Sequence, residues 1–553
     1  MLMEQLTLGD IDSQFVKEKA KKISETIKSP LIIEEDNIEK ILKSKKVPIK
    51  DKLGIVEKRV HQVLGKYKDN TLVIRNKEEF HQYISDSINN DFISIDTETN
   101  NSLDPLTCKL MGLCIHTYNH KQAYIPVNHV NLDTGEKLTN QLTEQDIKEE
   151  LSRLGDTKVI MHNGKFDYQV IKCTCDIALN VYWDTMLGAR LEDEKAKAGL
   201  KQQYVEKIDP EDEKYNIKEF FAGLEYAVVP PELFALYAAT DAYKTTRLYD
   251  YQLEWFNKPE NNKLLKVLRE IEMPILTVSA EMELRGICLD FEYGKRLSEK
   301  YHKLLDDVDK EIDKVLIELK PTIDAWKESA EGQVMVKKKT KAQQLSDPIS
   351  LTSPTQLAIL FYDILKVGVM DKENPRGTGA EIIDKIYEKT KNPLCKLIID
   401  KRGLVKLLNT YIDKLTESVN PSDHRLHGEF NQMGTDTGRF SSYNPNLQNI
   451  PAHAKDIRPL FIASPGYKLV GADFSQAEPR LLAWSSQDET MITAYKDKRD
   501  LYATVASTVF NNKYEDNLEF YPDGSMNYEG KERRSFCKSV ILGEHTLCPS
   551  KIV

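Results

Sequence analysis

Phe92-Ile93-Ser94-Ile95-Asp96-Thr97-Glu98-Thr99 is the stretch from which the rest of the chain can be read. In a strand, residues two apart face the same way, so Asp96 and Glu98 share one face and Ile93, Ile95 and Thr97 the other. Two carboxylates that close repel each other unless a cation lies between them or one takes a proton. Taken alone, the pattern more often marks a solvated edge strand, because charges face water.

Two further segments add to it. Val159 to His162 reads as a buried strand, and the turn His162-Asn163-Gly164-Lys165-Phe166-Asp167 sets Asp167 just past a strand end, where α/β folds hold ligands. Pro230-Pro231 opens a helix on which Tyr237 and Asp241, four apart, project from one face. Singly, Asp167 also suits a turn and Tyr237 a core aromatic. Together they make four carboxylates and a phenol, a set suited to two-metal phosphodiester hydrolysis, in which one cation activates water and the other steadies the leaving oxygen. Oxygen ligands favour Mg²⁺ or Mn²⁺ over zinc.

Bulk properties bound these readings. With 553 residues the chain needs two to four domains, and 40% hydrophobic with 30% charged residues suits a globular protein. No apolar run is long enough for a bilayer, and no basic residue precedes Lys17, so a cytoplasmic location without membrane attachment is expected. Eight cysteines without a Cys-x-x-Cys pair read as reduced thiols rather than a disulfide framework or zinc site. A net charge of -10 argues against indiscriminate polyanion binding but leaves room for basic strips.

The style of the sequence changes along the chain. Residues 1–70 read as a helical accessory segment and 71–255 as an α/β domain, with Thr71 to Ile74 as a further strand. From Lys263 helical periodicity dominates, with Tyr293 to Leu319 and Thr355 to Leu365 as paired helices. Glu331 to Lys341, holding Lys337, Lys338 and Lys339, reads as a loop tip. Short strands return near Arg425, and Tyr467 to Phe474 reads as a strand running into a helix.

Three segments of this second half carry chemistry. Thr437 to Pro451, with Arg439, Asn446, Gln448 and Asn449, is dense in side-chain donors. In the minor groove every base pair offers similarly placed acceptors, so such donors test pairing geometry without reading sequence; a polar loop held by Asx turns is the alternative. Asp473 stands at the end of the apolar Leu469-Val-Gly-Ala, and a carboxylate at the tip of a buried strand needs a cation or donor. Ser475 and Glu478 are spaced as a capping box. Lys531 to Gly543 reads as a helix with Arg534 and Lys538 on one face, either a triphosphate grip or a solvated basic face.

Residues 71–255 resemble the DEDD exonuclease superfamily, in its subtype with tyrosine in the third motif. The resemblance implies that Asp96, Glu98, Asp167 and Asp241 are metal ligands, that Tyr237 orients the attacking water, and that Asn163 contacts DNA; Asp184-Thr-Met-Leu187 fits the connecting segment. From Glu281-Met-Glu-Leu-Arg-Gly-Ile-Cys-Leu-Asp290 to Gly543, including Leu351 to Leu357 and Lys401-Arg402, the chain resembles family A DNA polymerases of the bacterial polymerase I type. With no room for a 5′ nuclease ahead of Thr71, the resemblance is expected to be to phage replicative enzymes of this family more than to the bacterial repair enzyme.

The fold implied is α/β: a ribonuclease H-like exonuclease domain, then a mainly helical thumb (263–425) and an incomplete α+β polymerase domain. The latter comprises a partial palm (426–490), partial fingers (491–543) and an unrelated tail (544–553). By the same resemblance Asp473 carries one of two catalytic metals, with the Phe474 carbonyl. Gln476 and Glu478 border the nucleotide, Glu478 excluding the ribose 2′-OH. Arg439, Asn446, Gln448 and Asn449 track the primer end and template minor groove, Arg534 and Lys538 hold the triphosphate, and the Lys337 cluster touches duplex phosphates. Pro479 stands where an aliphatic residue is usual.

Implied ligands are two Mg²⁺ or Mn²⁺ per complete site, primed template DNA, single-stranded 3′ ends and deoxynucleoside triphosphates. The family's later Tyr-Gly pair and His-Asp motif do not occur between Glu544 and Val553. The polymerase site is therefore expected to lack its second carboxylate, with an intron, a split gene and a second polypeptide as sources of the remainder. The expected function is a proofreading DNA polymerase in DNA replication, in the infected bacterial host cytoplasm if phage-encoded. The alternatives are a stand-alone 3′-to-5′ exonuclease with a non-catalytic DNA-holding domain, and a non-enzymatic DNA-binding relic.

Overall fold

The structure, a computed structural model, describes residues 35–547 apart from 213, 214, 216, 338–344, 452 and 453. The chain divides into two units at Pro465/Gly466, and each is described by itself.

The first unit opens with helices α1 (Glu35–Lys43) and α2 (Ile49–Leu64) and continues into strand β1 (Thr71–Val73) and helix α3 (Lys77–Asn89). Strands β2 (Phe92–Thr99), β3 (Leu110–His116) and β4 (Gln122–Pro126) come next, then α4 (Glu144–Leu151), β5 (Lys158–Met161), α5 (Gly164–Cys175) and β6 (Val181–Asp184). Helices α6 (Thr185–Glu192), α7 (Leu200–Lys207), α8 (Ile217–Phe221) and α9 (Pro231–Phe256) complete the α/β part.

Its six strands run in the order β1-β4-β3-β2-β5-β6. β3 pairs antiparallel with β2 and β4, while the β1–β4, β2–β5 and β5–β6 pairs are parallel. β2 is thus an interior strand, and the solvated-edge reading of its acids does not hold. Its period-2 alternation sends Ile93 and Ile95 into one core cluster, and the opposite face meets α9.

The 26-residue α9 begins where the paired prolines predict, with Pro231 in its first turn. It shares a second cluster with Val56, Val60 and Leu64 of α2, so the described part of the expected accessory segment is built into this domain.

Beyond α9 come α10 (Met273–Arg285), β7 (Ile287–Leu289) and the 38-residue α11 (Phe291–Glu328), started by the Asp290 side chain accepting from the Tyr293 N–H at 2.9 Å. Helices α12 (Ala330–Lys337), α13 (Ala380–Thr390) and α14 (Pro393–Leu407) follow. Residues 330–337 are therefore helical rather than a loop tip, because this apolar-bearing stretch continues helically after α11; Lys338 and Lys339, and the side chain of Lys337, lie outside the described residues.

Strands β8 (Val419–Asn420), β9 (Arg425–Leu426) and β12 (Phe461–Ile462) join β7 in the order β12-β7-β9-β8. Between them β10 (Glu429–Asn431) and β11 (Ser441–Tyr443) form an antiparallel hairpin.

The second unit carries helices α15 (Ala477–Ser486), α16 (Glu489–Lys496), α17 (Leu501–Val509) and α18 (Tyr528–Leu547). The predicted strand from Tyr467 to Phe474 is not formed: Val470 is 91% and Phe474 88% exposed on irregular backbone. A strand needs a neighbour for its N–H and C=O groups, and among the described residues none pairs with this one. Helix α18 runs past Gly543 to Leu547, so the predicted tail begins as helix.

Candidate metal centre and DNA-handling residues

Asp96 and Glu98 project from β2 toward α9, opposite Cys114 of β3, and one ligand atom from each of the three lies within 4.8 Å of the others. Asp167 reaches the same place from the first turn of α5, where its Oδ1 accepts from the Thr97 N–H at 2.9 Å and the Thr97 hydroxyl at 2.6 Å. The turn before it is sharp. Asn163 has φ 61°, and a Cβ on Gly164 would lie 2.5 Å from the Cβ of Met161, closer than packed atoms sit.

Asp184 holds that turn. Its buried carboxylate accepts from the N–H groups of Asn163 at 3.3 Å and Gly164 at 2.7 Å, and from those of Met186 at 2.7 Å and Leu187 at 3.1 Å. One side chain thus clasps the N-termini of α5 and α6, satisfying donors that helix starts leave orphaned. Asn163 itself is exposed, and its side chain caps nothing.

From α9, Asp241 and Tyr237 face the same pocket, with Tyr215, Phe220 and Phe221 edge-on around the Tyr237 ring at 5.8–6.1 Å. Asp241 Oδ2 accepts from Lys201 Nζ, while its Oδ1 is buried without a partner. Lys201 also lies 3.3 Å from the Tyr237 hydroxyl and 4.7 Å from the centre of that ring. Sequence reasoning missed Lys201: a lysine at a helix start reads by default as a solvated charge, and no spacing ties it to Asp241.

The four carboxylates feel one another. Burial first, then the charges of Asp167, Glu98 and Asp241, push Asp96 well above the usual carboxylate range. Glu98 is pushed up to about 8 by burial and by Asp241, against the pull of Lys201. Asp167 rises to about 7, burial outweighing its two hydrogen bonds from Thr97. Crowded hard oxygens, one of them orphaned, fit divalent cations. The Cys114 thiol is pushed up by burial and by the same acids, which keeps it protonated and a poor ligand.

A carboxyl whose pKa rises on folding contributes stability that is fully present below its unfolded value and lost as pH climbs through the folded one. Glu98 and Asp167 therefore destabilise the metal-free domain between pH 5 and 8, and a cation that binds the ionised form reverses this. The expected result is that Mn²⁺ raises the melting temperature by roughly 5 °C more at pH 8 than at pH 6, from about 2 kcal/mol of extra linkage. Differential scanning fluorimetry checks it, and Asp96→Ala should erase the difference.

Elsewhere in the first unit, Arg439 lies in the loop between β10 and β11, and Asn446, Gln448 and Asn449 follow β11; all four are exposed. The Asn446 side chain is already used, accepting from the Gln448 N–H at 3.0 Å, and the Asn449 carbonyl accepts from the Tyr411 hydroxyl.

In the second unit Asp473 and Phe474 are exposed on the irregular segment, so Asp473 does not sit at the tip of a buried strand. The spacing of Ser475 and Glu478 does not make a capping box. Gln476 occupies the N-cap in the left-handed region, with no side-chain cap, and its Oε1 accepts from the Tyr495 hydroxyl at 3.0 Å. Arg534 is held by Asp500 at 2.9 Å and 3.2 Å, a partner the sequence did not reveal, and Lys538 is exposed one turn further along α18.

Two family profiles match the chain: "3'-5' exonuclease" over residues 72–253 and "DNA polymerase family A" over residues 322–519. By these two segments the chain is homologous to family A DNA polymerases. It is 30% identical to DNA polymerase I of Borreliella burgdorferi over 424 residues, 76% of this chain and 42% of that protein. It is 32% identical to DNA polymerase I of a Synechocystis species over 441 residues, 76% of this chain and 40% of the relative. The chain thus spans less than half the length of these curated relatives.

Among solved structures, the POL domain of Pol1 from M. smegmatis in complex with DNA primer-template and dNTP matches with a TM-score of 0.64. That match has 22% identity and covers 86% of this chain and 71% of the other. The likeness supports the predicted arrangement of an exonuclease domain followed by a family A polymerase fold. Domains of both kinds depend on divalent metal. No helix among the described residues is long and apolar enough to cross a membrane.

Proposed function

We propose that the chain removes nucleotides from DNA 3′ ends as the proofreading part of a replicative family A polymerase, with Asp96, Glu98, Asp167 and Asp241 holding two Mg²⁺ or Mn²⁺. The observation that carries the reading is the crowding of the buried Glu98, Asp167 and Asp241 around the half-buried Asp96, with one Asp241 oxygen left unpartnered.

When bound, the cations would supply a hydroxide-like water and neutralise the leaving oxygen. The chain's own residues do the rest. Thr97 and the Asp184 clasp fix Asp167. Lys201 approaches the Tyr237 oxygen as a donor, leaving the tyrosine O–H to orient water. The exposed Asn163 is placed to meet a strand end.

On the polymerase side we assign Asp473, with the Phe474 carbonyl, to one metal, Gln476 and Glu478 to the nucleotide, and Arg534 and Lys538 to its phosphates. Arg534 must then exchange Asp500 for the triphosphate. Arg439, Asn446, Gln448 and Asn449 follow the primer end, and the Lys337 cluster the duplex backbone.

The test is incubation of the purified chain with Mg²⁺ and a 5′-labelled primed template. Stepwise 3′ shortening is expected at tens of nanomolar to micromolar protein, and an unchanged primer would refute the reading.

A further inference from the structure

The structure points to a built coupling between the nuclease helix and the hairpin assigned to the primer end, and we propose Glu283 as the positioning residue that makes it. The inference rests on the exonuclease reading above.

Glu283 lies on α10 and is only 7% exposed. Its Oε1 accepts from Lys165 Nζ at 2.6 Å and from the backbone N–H of Phe430 at 2.6 Å; its Oε2 accepts from Gln169 Nε2 at 2.7 Å. Lys165 Nζ also donates to the Phe430 carbonyl. Both backbone groups of Phe430, in β10, are therefore tied to one carboxylate–lysine pair. A buried charge is retained where every oxygen has a donor, as here.

Lys165 and Gln169 are four apart on α5 and share a face. Asp167 sits between them and turns to Thr97 instead. The helix that presents a metal ligand on one side is thus bolted on the other to the hairpin whose loop carries Arg439. A second tie runs parallel: Gln432 Nε2 donates to the Glu272 carboxylate at 2.7 Å and carbonyl at 3.0 Å, and Met433 packs on the α/β core.

The consequence concerns which 3′ ends are cut. A duplex held on the hairpin side must pass its frayed end to a pocket at fixed distance, and the Glu283 junction sets that distance. A single-stranded oligonucleotide reaches the pocket without the hairpin. Loosening the junction therefore lowers cutting of duplex ends and leaves cutting of single strands.

The experiment compares the full chain with Glu283→Gln, which keeps the shape but loses charge and one acceptor, and with Lys165→Met, which removes the other partner. Rates of shortening are measured in Mg²⁺ on a single-stranded oligonucleotide and on the same strand annealed as a primer with a mismatched 3′ end. The expected result is a single-strand rate within about twofold of the parent and a duplex rate about tenfold lower in both variants, the size of a typical coupling. Parallel loss on both substrates would mean a merely structural role and overturn the proposal, as would an unchanged ratio. A parent chain that shortens neither substrate would instead sink the exonuclease reading, and this inference with it.

Discussion

Asp96→Ala is expected to stop 3′ shortening, with a rate lower by on the order of 10³-fold or more, since a carboxylate proposed to hold the cation pair is lost. The variant should fold at least as well as the parent, because burial and three neighbouring acids already disfavour the Asp96 charge in the metal-free protein. Loss of rate with an unchanged melting curve would then report chemistry. The informative control is Cys114→Ala. That thiol lies within 4.8 Å of an oxygen of Asp96 and of Glu98, yet it stays protonated, so its removal should leave shortening within about threefold. Substantial activity in Asp96→Ala, or its collapse in Cys114→Ala, would relocate the site.

The second large effect is an absence of product. Given Mg²⁺, all four deoxynucleoside triphosphates and a primed template, the 553-residue polypeptide is expected to yield nothing longer than the primer. Transfer of a nucleotidyl group needs cations clamped on both the attacking and leaving oxygens, and Asp473, the carboxylate proposed to hold one of them, stands on exposed irregular backbone that no strand among the described residues steadies. Removing such charge stabilisation costs on the order of 10³-fold or more. The measurement is best made in the Asp96→Ala background, where shortening cannot mask extension. Robust extension would mean that Asp473 is seated for catalysis and would overturn the expectation.

How far these sites were legible in the residues depended on the range of the interactions involved. Period-2 alternation placed Asp96 and Glu98 on one face, and the paired prolines placed Tyr237 and Asp241 on one side of a helix, because both are local consequences of backbone geometry. The interior position of β2 was not legible, since strand order is set by pairings between distant segments. Lys201 was hidden for the same reason: its meaning lies in Asp241, 40 residues away. Asp184 read as a connecting residue, although it receives four N–H groups from two helices.

The opposite failure occurred at Tyr467 to Phe474. Apolar, β-prone residues predict a strand there, but a strand is a relation between two segments, and among the described residues this one has the propensity without the neighbour. Asp473, read as the tip of a buried strand, inherits that correction. Ser475 and Glu478 had the right spacing for a cap, and the left-handed backbone at Gln476 took the position instead.

The packing of α2 against α9 bears on how a minimal nuclease is to be cut from this polypeptide. Val60, Val63 and Leu64 are buried in the cluster that also surrounds Tyr237, and Lys66 reaches the buried Asp212, which is in turn paired with the fully enclosed Lys244. An expression fragment begun at the first strand, near Thr71, would unroof the helix bearing the phenol and strip the buried Asp212 of one of its two lysine partners. The boundary belongs upstream of Leu42, with the leading helices carried as part of the catalyst's own wall.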